Sequence, residues 1–110
     1  MKQISIEEIY LNELNGLNDW INLSENYKLS ENIIEEFADK VNWNYICMNQ
    51  KLSEKFIEKH SNEIDWNYII IQQKLNERFI EKHSNKFDWD YISAYQKLSK
   101  EFMANYKLKE

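Results

Sequence analysis

Four tryptophans, Trp20, Trp43, Trp66 and Trp89, stand 23 residues apart, and no tryptophan lies outside that series. Self-similarity at a fixed period of this size is the mark of a repeat architecture, in which each unit buries its apolar face only against its neighbours. In this register residues 28–50, 51–73 and 74–96 are full units. Residues 5–27 form a degenerate N-terminal capping unit and residues 97–110 a half unit that caps the C-terminus. No insertion or deletion is needed, so the chain reads as a single helical-repeat domain over residues 1–110.

Each unit reads as two short helices. Ser30, Ser53, Asn76 and Ser99 precede the first helix, where a side-chain oxygen satisfies a free backbone N–H of the first turn. Leu29 with Ile34, Leu52 with Ile57, Leu75 with Ile80 and Leu98 with Met103 have the spacing of a hydrophobic staple across those caps. Gly16, Asp39, Asn62 and Asn85 share a position expected to stop the first helix in a left-handed conformation, followed by a turn of about two residues. Asp19, Asn42, Asp65 and Asp88 then cap a second helix that begins at each Trp. Val41 with Ile46, Ile64 with Ile69 and Phe87 with Ile92 repeat the staple there.

Composition narrows the class. One Gly and no Pro argue against a sandwich or barrel of many tight turns, and 43% apolar with 15% aromatic residues is too rich for a disordered chain. A helix of about eight residues does not survive alone in water, so these must stack. The expected fold is all-α, an α-solenoid of about nine short helices, with Leu52, Phe56, Ile57, His60, Ile64, Trp66, Ile69 and Ile70 as the apolar set of one unit. The indole rings are expected to line one spine between layers, each burying roughly 150–250 Å². The longest apolar run, residues 68–71, is far short of a membrane span, and the start has no secretory h-region. A cytoplasmic setting, in a bacterium or an infected host cell, is the expectation.

The chemistry-bearing residues have structural explanations. His60 and His83 share a repeat position with Leu14, Phe37 and Tyr106, which suits a half-buried ring at the core edge; no HExxH or cysteine partner makes them zinc ligands. Cys47, alone, reads as a small, partly buried filler, with Ser24, Ile70 and Ser93 at its position. Glu54, Glu58, Glu77 and Glu81 alternate with Lys55, Lys59, Arg78 and Lys82 as on a solvated helix face. No Gly-rich phosphate cradle is present. No catalytic residue, metal or cofactor is expected, and the chain reads as a non-enzyme.

Two features point to recognition. The net charge of −5 is uneven, −4 over residues 1–27 and +2 over residues 97–110, which suits electrostatic steering or head-to-tail association. Little Arg and an acidic balance argue against general nucleic-acid binding. On the second helices, Tyr45, Tyr68 and Tyr91 share one position, Met48, Ile71 and Ala94 another, and Asn49, Gln72 and Tyr95 the next. Tyr and Met are favoured at interfaces. Tyr45, Met48, Tyr68, Ile71, Tyr91 and Tyr95 are therefore the candidate partner-binding residues.

The units also resemble a short repeat, Leu-Ser-Glu-x-Phe-Ile followed by Asp/Asn-Trp-x-Tyr-Ile-x-x-x-Gln, of phages, large DNA viruses and some bacteria. Leu52-Ser53-Glu54, Phe56-Ile57, Asp65-Trp66, Ile69 and Gln73 carry the match, which recurs in the flanking units. Abundant Lys, Asn and Ile, with Arg78 the sole arginine, fit such AT-rich sources. The resemblance brings no catalytic residues. It implies a small phage or viral protein that binds and inhibits a host-defence component, as anti-CRISPR proteins do. The alternatives are a self-assembling structural repeat protein, and a nucleotide or nucleic-acid ligand binder using Tyr stacking with Lys97, Lys100, Lys107 and Lys109.

Overall fold

The computed structural model describes residues 1–106, so Lys107 and Lys109 lie outside the described residues. The fold is all-α, with nine short α-helices among those residues. The chain divides into two compact units, Met1–Leu52 and Ser53–Glu110.

The first unit holds β1 (Lys2–Gln3), α1 (Ile6–Leu14), α2 (Trp20–Asn26), β2 (Tyr27–Lys28), α3 (Glu31–Glu36) and α4 (Trp43–Asn49). The second holds α5 (Glu54–Lys59), α6 (Trp66–Gln72), α7 (Glu77–Lys82), a 3-10 turn (Ser84–Lys86), α8 (Trp89–Tyr95) and α9 (Lys100–Asn105). All the expected caps form. Ser30, Ser53, Asn76 and Ser99 accept from the N–H three residues on. Asp19 and Asn42 do the same, while Asp65 and Asp88 accept from the N–H two residues on. Ile34, Ile46, Ile57, Ile69, Ile80 and Ile92, the inner halves of the staples, are fully buried.

Four local expectations need correction. The first helices end earlier than the Asp39, Asn62 and Asn85 position. Their C-caps are Phe37, His60 and His83, with φ of −112°, −107° and −110°. The carbonyls of Phe37 and His60 accept from the N–H groups three and four residues on, so a further hydrogen-bonded turn follows the helix and the chain does not stop at once. Gly16 takes the expected left-handed conformation, with φ +65°. The Leu17 N–H bonds Asn12 O at 2.8 Å and the Gly16 N–H bonds Glu13 O at 3.1 Å, the paired bonds of a Schellman motif.

Second, the repeat does carry an insertion. Ser5 caps α1 through the Glu8 N–H, two residues farther from its Trp than any other cap of a first helix. Ile9, not Leu11, is therefore the buried counterpart of Ile34, and α1 is nine residues long where α3 has six. Third, two residues at each of two sites are extended: β1 pairs β2 in parallel, Lys2 with Tyr27 and Gln3 with Lys28. The Lys2 ammonium lies 5.9 Å from the Tyr27 ring centre. Fourth, Cys47 is fully buried rather than partly so.

Aromatic contacts join successive layers inside each unit. The Trp20 ring centre is 5.2 Å from Phe37, Trp66 is 5.2 Å from His83, and Trp89 is 4.7 Å from Tyr106. Each of these indoles thus meets the C-cap ring of the first helix that follows it, and the spine alternates indole with Phe, His or Tyr. The tryptophans are half-buried, not core. Trp43 and Trp66 donate their indole N–H to the carbonyls of Ala38 and Ser61, at 3.1 and 3.3 Å, which pins the turn between the two helices of a repeat.

A glutamine clasp holds the second helices together. Gln50 is buried; its Nε2 donates to Ser24 O at 2.8 Å and Tyr27 O at 2.7 Å, and its Oε1 accepts from the Leu29 N–H at 2.9 Å. Gln96 repeats the arrangement on Ile70 O, Gln73 O and the Leu75 N–H. One primary amide, with two donors and an acceptor, closes the C-terminus of the preceding second helix, where carbonyls have no partner of their own.

Candidate protein-binding surface

The second helices present the candidate residues because their other faces are spent. α2 packs on α4 in the first unit, and α6 on α8 in the second. Ile46, Cys47, Ile69 and Ile70 fill the inner faces. The helix is too short to hide a third face, so residues at its C-terminal end and one turn earlier face outward. On α4, Tyr45 is half-buried and Met48 is 38% exposed. On α6, Tyr68 and Ile71 are half-buried. On α8, Tyr91 and Tyr95 are 38% and 54% exposed, their rings edge to face at 6.2 Å. None of the six belongs to the buried core. Within each unit these positions can supply apolar contact, with hydroxyl tips at the tyrosines, which suits a protein partner.

The acidic residues are not merely a solvated face, and this is where sequence reasoning fell short. Glu54 accepts from both the backbone N–H and the side-chain amide of Asn76, at 3.0 and 2.8 Å. Glu77 accepts from the Ser99 N–H and Oγ at 2.6 and 2.9 Å. Each carboxylate therefore holds the N-cap of the next first helix. The recurrence of Ser-Glu or Asn-Glu at the start of the first helices in the full repeats was the available signal.

Glu58 forms a second link. Lys82 Nζ lies 2.7 Å and His83 Nε2 2.9 Å from Glu58 Oε2. The Lys82 ammonium first, then His83, lowers the Glu58 carboxyl below the ordinary glutamate range. A carboxyl more acidic in the folded chain than in the unfolded one adds stability above that ordinary range and loses it as pH falls through the lowered value. Thermal melts taken from neutral to acidic pH should show Glu58→Gln with a flatter acid limb than the parent. A limb of unchanged slope would show that the link does not act on stability.

The histidines serve this scaffold. His60 is buried against Phe56 at 4.6 Å, with Nδ1 3.7 Å from Glu63. His83 is half-buried between Phe79, at 4.7 Å, and Trp66. Among the described residues no three His, Cys, Asp or Glu side chains gather as a metal site would need, and no helix is long and apolar enough to cross a membrane. No protein-family model, no curated protein and no solved structure matches the chain.

Proposed function

We propose that this chain is a non-catalytic helical-repeat protein that binds a partner protein through Tyr45 and Met48 of α4, Tyr68 and Ile71 of α6, and Tyr91 and Tyr95 of α8. The observation that supports this reading is the contrast within α4 and within α8. One face is locked by buried isoleucines, while aromatic and thioether side chains stay open at Met48, Tyr91 and Tyr95. Side chains with few rotors and large contact area give such a surface affinity at low entropic cost. The carboxylates that could serve acid–base chemistry, Glu54, Glu58 and Glu77, are occupied by caps and cations.

The most concrete form of the proposal is a phage or viral inhibitor that covers a host-defence component. That form rests on the sequence resemblance alone. Affinity capture from host lysate, with Tyr68→Ala/Ile71→Ala as the comparison, tests the surface. The double variant should keep the parent's circular dichroism and lose at least about tenfold in affinity, as truncation of two interface anchors does. A folded double variant that retains every partner would remove α6 from the binding surface.

A further inference from the structure

Gly16 is the single glycine and it follows Asn15, so the chain holds one Asn-Gly step. Both residues are exposed, and a Cβ built on Gly16 would meet nothing within 4 Å. This openness belongs to the repeat: Asp39, Asn62 and Asn85, at the Gly16 position of later repeats, are exposed as well. Asparagine is thermolabile because the backbone nitrogen of the next residue can attack its side-chain amide. Glycine in that next place has no side chain to obstruct the approach. Asn62 and Asn85 are followed by Glu63 and Lys86, whose side chains obstruct it.

We propose that Asn15 is a self-modifying site, converted to isoaspartate through a cyclic imide with Gly16, and that the turn closing α1 holds the reaction back. Hydroxide takes the proton from the Gly16 nitrogen, which attacks Asn15 Cγ. The N–Cγ bond forms and the Cγ–Nδ2 bond breaks. Nδ2 leaves as ammonia, taking a proton from water and restoring the hydroxide. Water then opens the imide. Attack at the main-chain carbonyl leaves isoaspartate, with the chain running through Cγ, and attack at Cγ leaves aspartate. Over both steps a water is taken up and an ammonia released, and nothing is oxidised or reduced.

The folded turn opposes each part of this reaction. The imide ring needs the Gly16 nitrogen to eclipse Asn15 Cβ, but at the observed ψ of 2° it eclipses the Asn15 backbone nitrogen. The Gly16 N–H is bonded to Glu13 O at 3.1 Å, and Asn15 Nδ2 donates to Leu11 O at 3.0 Å. Asn18 ties the chain beyond the turn back to α1, donating through Nδ2 to Ile9 O and to Glu13 Oε1, both at 2.9 Å. Reaction therefore waits on local opening. Isoaspartate then lengthens the main chain inside the turn, so the bonds from Gly16 to Glu13 and from Leu17 to Asn12 are not both regained. Its carboxylate also falls at the negative end of the α1 dipole. A transient opening becomes a lasting release of the end of α1. This site is separate from Tyr68 and Ile71 and stands whether or not they bind a partner.

The test incubates the full chain at mildly alkaline pH, in native buffer and in unfolding urea. Isoaspartate is read by methyl transfer from an isoaspartyl methyltransferase and placed by mass spectrometry of the peptide holding residue 15. In urea Asn15 should convert faster than every other asparagine of the chain. In native buffer it should convert at least about tenfold more slowly than in urea, since only the locally opened fraction reacts. The isolated isoaspartate form should melt below Asn15→Asp, which has the same charge on an unaltered main chain. An Asn15 that converts no faster than Asn62 or Asn85 in urea overturns the site. Equal rates with and without urea overturn the restraint by the turn. An isoaspartate form that melts with Asn15→Asp overturns the release of α1.

Discussion

Trp66→Ala should cost about 3 kcal/mol, the lower end for deleting a large aromatic, because the ring is half-buried. Its ring centre lies 6.2 Å from Phe79, 5.2 Å from His83 and 5.3 Å from Phe87, so one truncation strips a face from each of three side chains. The Trp66 indole N–H also closes the turn at Ser61 O. A domain of this size has a total stability on the order of 5–15 kcal/mol, so the loss is a large share of it. Urea unfolding followed by circular dichroism gives the value. Trp66→Phe separates the two contributions: it keeps a ring in the stack and loses the hydrogen bond, and should cost about 1 kcal/mol more than ring shrinkage alone. A Trp66→Ala chain that unfolds at the parent's midpoint would mean that the aromatic alternation holds nothing together.

The second large effect is expected at Gln50. Gln50→Ala leaves Ser24 O, Tyr27 O and the Leu29 N–H without their clasp at a buried site, and should cost about 2–4 kcal/mol. Gln50→Glu is more informative because the shape is kept. The carboxyl still accepts from Leu29 but, when ionised, sets negative charge against two carbonyl oxygens. Those neighbours favour the protonated form and raise the folded pKa above the unfolded one. Stability is then greatest below the unfolded value and falls as pH rises through the folded one, the reverse of the Glu58 effect. Melts of Gln50→Glu should therefore recover toward the parent at acidic pH. A variant as stable as the parent at neutral pH would show that the clasp is decorative.

The signals legible in the sequence were those acting within one turn. Ser53, Asn76, Asp65 and Asp88 satisfy N–H groups two or three residues away, so a cap carries its partner with it. The buried staples at Ile57, Ile69 and Ile80 follow from the same short range. Helix ends were read less well, because the chain after Phe37 and His60 goes on into a turn held by a carbonyl shared between two N–H groups, which no single residue announces. The clasps and carboxylate clamps join residues 21 to 26 apart, as from Gln96 to Leu75 and Ile70, and no local rule names such partners. The recurrence of Gln at 50, 73 and 96, each after positions that vary, was the trace. The position of Met48, Ile71 and Ala94 and that of Asn49, Gln72 and Tyr95 were legible as variable, and Met48, Ile71 and Tyr95 lie outside the buried core.

The central claim is that layers are tied together by an indole on the ring seventeen residues later, as Trp20 on Phe37, Trp66 on His83 and Trp89 on Tyr106. Nuclear Overhauser contacts from the tryptophan ring protons of the labelled chain read this directly. The account predicts cross-peaks from Trp20 to Phe37, from Trp66 to His83 and from Trp89 to Tyr106, all lost together as the chain unfolds. Indoles whose only ring contacts lie within their own repeat, or that show none, would contradict it.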